Sequence, residues 1–339
     1  MSHAYDVCVF GAGPAGAATA IRLADLGASA VLLERPLKEK PWGGESFTGA
    51  IRAPLLTLGC WDEFEKAGHT RGYEKESAWG SEPRTESSII HAEGPLWHVD
   101  RERFDADLRS AVLRRGHTIL PYRRLDSIAR ESTHWRLVVD GETHIRARFL
   151  VDATGRSRAL ARRLNARIEF HDRLVALCAA VPRDATPVVI RSMLIEAKPF
   201  GWWYAAPTPR GHVVAILTDV DLAPPELRRR LRPAAANSAF TQFEATQGWL
   251  PVGDACASHD PLCGWGVHRA LANGLTAARA IAAFLASGSH SQLEDYRHHC
   301  YRQYDRYLQG LAEHYSIESR WPTEPFWQRR HRPASPASA

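Results

Sequence analysis

Tyr5 to Arg35 reads YDVCVFGAGPAGAATAIRLADLGASAVLLER, and this stretch decides the fold. Val7, Val9 and Phe10 form a short apolar run that stops at glycine, the pattern of a buried parallel strand. Gly11, Gly13 and Gly16 follow as G-x-G-x-x-G. The first allows a tight turn, the second lets backbone approach a pyrophosphate, and the third lets the next helix pack close to the sheet. That helix begins with the small residues Ala15, Ala17, Ala18 and Ala20, and its N-terminal N–H groups point at the phosphates. Gly27 closes the helix. Val31, Leu32 and Leu33 make the second strand, and Glu34 ends it roughly 20 residues beyond the glycines, where a carboxylate accepts from a ribose hydroxyl. An ordinary βαβ unit does not need three glycines in its turn, so the unit is read as dinucleotide-binding. By itself it does not separate FAD from NAD.

The remaining composition narrows the class. The 339 residues suffice for a large core and about two domains of ordinary size. Hydrophobic content of 45% and charged content of 24% are those of a globular protein. The net charge of +5 comes from scattered arginines, with no basic run carrying interleaved aromatics, so nucleic-acid binding is not expected. Cys8, Cys60, Cys178, Cys256, Cys263 and Cys300 show no C-x-x-C and no metal spacing, so no metal site is expected and reduced thiols in the cytoplasm are. No signal peptide is read at the start, and no uninterrupted apolar run reaches the roughly 20 residues of a spanning helix.

Along the chain, Pro36 to Gly44 breaks regular structure, and Gly43 to Ser46 (GGES) is either a turn beside the cofactor or a surface loop. Ala50 to Leu58 has helical spacing. Ser88 to Ile90 and Leu96 to Val99 read as strands. Asp100 caps a helix running to Leu113, with Phe104, Leu108, Ala111 and Val112 on one face. Arg101 and Arg103 in its first turn either grip a phosphate or pair with Glu102 and Asp105. Ser127–Arg130, Trp135–Val139 and His144–Leu150 read as strands, with a hairpin at Asp140-Gly141. The run ends in LVDATGRSR, a second strand entering a glycine turn. Leu174–Val181, Pro187–Glu196, Gly201–Ala206 and Gly211–Thr218 then follow with no helix between them, the texture of a mainly antiparallel sheet. Trp202, Trp203 and Tyr204 serve either as packing or as the wall of a flat pocket. Pro224–Ala236 reads as an Arg-rich surface helix or loop, and Leu250 to Asp254 as a short strand. Val267–Leu285 and Leu293–Tyr315 read as long helices, and Arg320–Ala339 as a tail whose last residues are disordered.

These residues together resemble the FAD-dependent monooxygenases of the p-hydroxybenzoate hydroxylase class, in the branch that contains the tryptophan halogenases. Gly11–Gly16 with Glu34 looks like the ADP-binding motif, Arg101 in R-x-x-F-D like the cofactor-contacting arginine, and Asp152-Ala153-Thr154-Gly155 like the second dinucleotide motif. Gly253-Asp254 resembles the motif whose aspartate holds the ribityl chain, and Pro261–Gly266 the loop beside the isoalloxazine ring. The resemblance therefore implies FAD, with NAD(P)H or a partner flavin reductase as electron source. The cofactor-binding residues it implies are Gly11, Gly13, Pro14, Ala15, Gly16, Glu34, Arg35, Ser46, Arg101, Gly155, Gly253, Asp254, Pro261, Gly264, Gly266 and Val267.

The implied fold is α/β, a Rossmann-type FAD-binding domain (1–72, 100–165 and 248–290). A second, mainly antiparallel substrate domain (73–99 and 166–247) and a C-terminal helix and tail (291–339) complete it. Lys75 falls where halogenases carry the lysine that relays hypohalous acid, and Trp79 keeps the spacing. The halogenase Ser-Thr pair that helps hold chloride is replaced by Gly264 and Trp265, and the W-x-W-x-I-P motif is only echoed by Trp202–Tyr204 before Pro207. SAWG (77–80), WHVDRERFD (97–105) and RWPTEPFW (320–327) are similar to small flavoproteins that hydroxylate tryptophan in an immature protein bound for a tryptophylquinone cofactor. That resemblance implies hydroxylation of an electron-rich aromatic, free or in a polypeptide, through a flavin hydroperoxide. Trp79, Trp202, Trp203 and Tyr204 would bound the substrate, and Lys75 and Trp265 would serve the chemistry. Halogenation, or a geranylgeranyl-reductase-like reduction, is the alternative. His259 and Cys263 flank the flavin loop, as packing or as chemical groups.

Overall fold

The computed structural model describes residues 2–36, 44–80, 82–88, 92–182 and 190–331. Gly43, part of the strand expected at Ser88–Ile90, the start of that expected at Pro187 and the last residues of the tail lie outside these. The first strand, Ser2–Phe10, lies between Ala30–Glu34 and Thr143–Asp152, parallel to both. The sheet runs in the order Thr118–Pro121, Ala30–Glu34, Ser2–Phe10, Thr143–Asp152, Trp135–Val139, Leu125–Arg130, and Trp249–Pro251 joins in parallel at Leu150–Asp152. Val7, Val9 and Phe10 are buried on both faces, as a central parallel strand requires. The hairpin forms at Asp140-Gly141, both with positive φ (51° and 77°), so the turn twists with its strands.

The second sheet runs in the order Arg232–Ala235, Leu174–Pro182, Gly211–Asp219, Gly201–Thr208, Met193–Lys198, Glu74–Ala78, Arg84–Ser87. Its pairings are antiparallel except that Met193–Lys198 runs parallel to Glu74–Ala78. The strand near residue 88 ends at Ser87, one residue before its expected start, and the strand expected from Pro187 begins at Met193. The Arg-rich stretch divides into the short helix Pro225–Arg230 and the edge strand Arg232–Ala235.

Two long helices close the molecule. Gly266–Ser287 meets the length and hydropathy of a membrane-crossing helix, but its Gly274 face packs on the helix Pro14–Asp25: a Cβ at Gly274 would lie 2.6 Å from Ala15 O. Ser291–Ile317 buries Leu293, Tyr296, Cys300, Tyr304, Tyr307 and Tyr315 at spacings of three, four and multiples thereof. The expectation of a plain tail is corrected. Pro325–His331 is a helix whose Phe326 and Trp327 are wholly buried against Trp79, Trp202 and Tyr315. Trp327 Nε1 donates to Lys198 O (2.9 Å), and Arg329 and Arg330 reach Asp219 (2.8 Å each). Seven residues are too few to show a period, and two adjacent aromatics do not reveal which surface they cover.

Candidate active site

The glycines divide by what surrounds them. A Cβ on Gly11 would strike Ala153 O at 2.4 Å, one on Gly16 would meet Gly11 O at 2.0 Å, and one on Gly253 would meet Ala15 Cβ at 2.7 Å. These three let the two strand ends and the helix Pro14–Asp25 close on each other. A Cβ on Gly13, Gly155, Gly264 or Gly266 would meet nothing within 4 Å. Gly13 precedes the first helix and Gly266 begins the long helix packed beside it. Open space at the N-termini of two packed helices is a cradle for an anionic group.

Side chains build the rim. Glu34 Oε2 accepts from Ala12 N–H (2.5 Å), so the acid at the end of the second strand reaches back to the glycine turn. Arg35 follows it, exposed. Asp152, fully buried, accepts from Thr154 N (3.0 Å), Thr154 Oγ1 (2.6 Å) and Ala161 N (2.7 Å), and so shapes the turn that carries Gly155. Arg156 spans from Asp254 (3.2 Å) to Asn237 O (2.8 Å) and His259 O (2.6 Å). Asp254 is thereby fixed beside Gly253, whose N–H donates to Asn273 Oδ1 (2.8 Å).

Across the cradle, Arg101 pairs with Glu45 (2.6 Å) and Asp105 (3.2 Å). Burial opposes its charge, and the two carboxylates more than offset that, so its pKa rises. Of the two readings the ion pair is seen, Arg101 with Asp105 and with Glu45 from another element, while Arg103 pairs with Asp107 on the surface. Burial pushes the Glu45 carboxyl up, against the pull of Arg101. Next to Glu45, Ser46 Oγ bonds His98 Nδ1 (2.8 Å) and accepts from Tyr204 OH (3.2 Å). Burial pushes His98 down to about 4 and Tyr204 up to about 12, so both are neutral near pH 7. His98 Nε2 is buried with no partner.

The loop Pro261–Cys263 is capped by Asp260, whose Oδ1 accepts from Leu262 N (2.9 Å) and whose Oδ2 accepts from Tyr315 OH (2.7 Å). Tyr315 OH in turn accepts from Trp202 Nε1 (3.1 Å). Burial lifts Asp260 to about 6. Gly264 is left-handed (φ 64°), and Trp265 sets its ring edge-on to His268 (4.8 Å, 81°) ahead of the part-buried Val267. His259 is buried edge-on against Tyr307 (4.4 Å), and burial with nearby Arg269 and Arg156 holds it neutral. Burial raises the Cys263 thiol. Arg269 Nη1 is buried without a partner at the start of the long helix.

The structure thus gathers Gly11–Gly16, Glu34, Gly155, Gly253, Asp254 and the Pro261–Val267 loop around one region. Ser46 and Arg101 face it from the neighbouring strands and helix. Lys75 stands apart. It shares a sheet face with Tyr204 through its register with Met193, is a third exposed, and pairs with Glu86 (3.8 Å). Trp79 and Trp202 pack into the cluster of Tyr315 and Trp327 rather than onto open space. Trp203 lies on the opposite face, 43% exposed beneath Lys198. Glu45, His98, Arg156, Asp260 and Asn273 were not singled out from sequence. Arg156 sits inside the quoted LVDATGRSR, Glu45 inside GGES and His98 inside WHVDRERFD, so their stretches were marked though their roles were not; Asp260 and Asn273 carry no local signal of their partners. The open glycines, the fixed Asp254 and the partnerless Arg269 Nη1 suit an elongated anionic dinucleotide such as FAD.

Residues 4–218 match the family described as FAD binding domain. The putative FAD-dependent oxidoreductase LodB of Marinomonas mediterranea is 29% identical, over 97% of both chains. Two solved structures share the fold. The myxobacterial chondrochloren halogenase CndH has TM-score 0.84 and 23% identity over 98% of this chain and 87% of its own. The peptidyl tryptophan dihydroxylase QhpG, essential for tryptophylquinone cofactor biogenesis, has TM-score 0.78 and 20% identity over 99% and 80%.

Proposed function

The chain belongs to the FAD binding domain family, and on that premise we propose that it is a monooxygenase that hydroxylates an indole, in a tryptophan residue of a polypeptide. It is an FAD-dependent oxidoreductase of the halogenase and monooxygenase group. FAD, when bound, supplies the oxygen chemistry, with electrons from NAD(P)H or a partner flavin reductase.

The observation that carries the choice of hydroxylation is the loop after Asp260. Gly264 and Trp265 place no hydroxyl side chain where halogenases hold halide, and an aromatic ring stands there instead. The fold shared with QhpG, a peptidyl tryptophan dihydroxylase, supports the polypeptide substrate.

In this reading Gly13, Pro14, Ala15 and Gly16 bind the pyrophosphate, Glu34 and Arg35 the adenosine end, and Asp254 the ribityl chain. Gly155, Pro261, Gly264, Gly266 and Val267 line the ring's edge, with Ser46 and Arg101 opposite. Backbone N–H groups at the start of the long helix would stabilise negative charge on a bound ring. With its proton on Nε2, His98 accepts from Ser46, and Ser46 accepts from Tyr204. That row of neutral groups can hold and pass one proton where Gly44–Phe47 and Leu96–Asp100, paired in a small sheet of their own, meet Tyr204 of the second sheet. Trp265 and Tyr204 would bound the indole, and Trp79 and Trp202 form the packed wall behind.

A second reading, halogenation, is favoured by Lys75 with Trp79 four residues on and by the fold shared with CndH. One assay separates the two: tryptophan peptides incubated with the chain, FAD, a flavin reductase, NADH and bromide, then weighed by mass spectrometry. Gain of one or two oxygens is expected. A brominated product would overturn the reading in favour of halogenation.

A further inference from the structure

Cys256 ends the turn Gly253–Ala255, and Cys300 lies midway along the helix Ser291–Ile317; both are buried. Both line one small cavity together with Gly253, Asp254, Arg269 and Asn273. The two thiols are close enough for each to shift the other's proton affinity. Asn273 Nδ2 donates to Cys300 Sγ at 3.3 Å, while its Oδ1 accepts from Gly253 N (2.8 Å) and from Tyr296 OH (2.7 Å). A single amide side chain therefore ties the thiol pair to the turn that carries Asp254. Asn273 also distinguishes the two sulfurs. The amide N–H of Asn273 reaches the sulfur of Cys300, and a donor at that distance favours the thiolate there. Cys300 is the better thiolate, and thiolate character selects which sulfur is oxidised first.

We propose that Cys256 and Cys300 are an oxidation site for hydrogen peroxide, closing to a disulfide that Asn273 reports to the Gly253–Asp254 turn. The Cys300 thiolate attacks one peroxide oxygen. The O–O bond breaks, giving Cys300 sulfenic acid and a hydroxide that takes the proton lost by the thiol to become water. Cys256 sulfur then attacks Cys300 sulfur, the S–O bond breaks, and the departing hydroxide takes the Cys256 proton to become a second water. Two thiols and one peroxide become one disulfide and two waters, with two electrons passing from sulfur to oxygen. The bond draws the sulfurs to about 2 Å and removes the thiolate that anchors Asn273 Nδ2. Asn273 then loses one of its three partners, and the turn expected to hold the ribityl chain loosens. The inference uses no feature of the substrate reading above.

The test uses the full chain, with and without FAD, titrated with hydrogen peroxide and mapped as non-reduced peptides by mass spectrometry. The expected result is one linked peptide pair joining Cys256 to Cys300, lighter by two hydrogens, reversed by dithiothreitol and formed before any other cysteine reacts. The oxidised chain should bind FAD at least about fivefold more weakly, the lower end of ordinary coupling between sites. In Cys256→Ser, Cys300 should accumulate as a sulfenic acid trapped by dimedone; in Cys300→Ser, Cys256 should stay unlabelled. Linkage through other cysteines, or no linkage with Cys300 unlabelled in Cys256→Ser, overturns the site. Linkage with unchanged FAD affinity overturns the coupling through Asn273. Peptide mapping of the wild-type chain decides the first point even where a variant does not fold, and mapping without FAD separates it from any failure of the functional reading.

Discussion

Asp260 is a carboxyl that burial holds protonated to about pH 6, while it caps the flavin loop and receives the Tyr315 hydroxyl. Its pKa when folded lies above its unfolded value, so between about pH 4 and 6 the folded chain binds the extra proton. Stability therefore falls as pH rises through that window, by up to about 3 kcal/mol from this group, and the loss is complete above it. Asp260→Asn keeps an oxygen for Leu262 N and has no charge to bury, so the slope should vanish. Urea unfolding at pH 5 and pH 7.5 should show wild type losing stability between the two pH values and the variant losing much less. Nothing near Asp260 in sequence announces this. Its partners Tyr307 and Tyr315 come from a helix some fifty residues on, and which hydroxyls of a tyrosine-rich helix turn inward is fixed only by packing. Gly13 and Glu34 were readable because a dinucleotide turn and the acid after it are set within one short unit, so spacing alone carries them.

Elements whose signal is purely local were legible where a cap or turn residue marked them, and missed where none did, as at Pro325–His331. The cap at Asp100, which accepts from Glu102 N and Arg103 N, and the Asp140-Gly141 turn both follow from local backbone chemistry. The pairing of the helices Pro14–Asp25 and Gly266–Ser287 was not legible, because small residues in either helix fit many partners. That pairing allows the two kinds of glycine to be told apart by experiment. Gly13 has extended backbone (φ −74°, ψ −175°) that alanine adopts freely, and its missing Cβ faces open space. Gly13→Ala should leave urea stability within about 0.5 kcal/mol of wild type while weakening FAD binding by about tenfold or more. Gly274→Ala presses a methyl onto Ala15 O, which cannot move without its helix. That variant should lose about 1–3 kcal/mol in the same unfolding experiment, an overpacking cost. Equal effects of the two on stability would contradict the division.

At the scale of the whole molecule, one apolar core lies around the first sheet and a second around Trp202 and Tyr315, with Leu311 packed against both, and the second is finished by residues far along the chain. Trp327 contacts Trp79, Tyr315, Trp321 and Phe326, and all of its side chain is buried. Trp327→Ala should cost about 3–5 kcal/mol by thermal or denaturant unfolding, and the cavity it leaves lies beside Trp79 and Trp202. Indole added in excess should recover part of that loss by filling the space.

The late position of Phe326 and Trp327 also bears on synthesis. The second sheet has all its strands once Ala235 is made, yet the residues that cover its inner face come about ninety residues later. At ordinary translation speeds of 5–20 residues per second, that leaves about 5–20 seconds in which a nascent chain shows Trp79 and Trp202 uncovered to the cell. A ribosome stalled in that interval would present a sticky surface, so yield should respond to chaperone supply and to slow codons between positions 236 and 326 more than to codons anywhere before them.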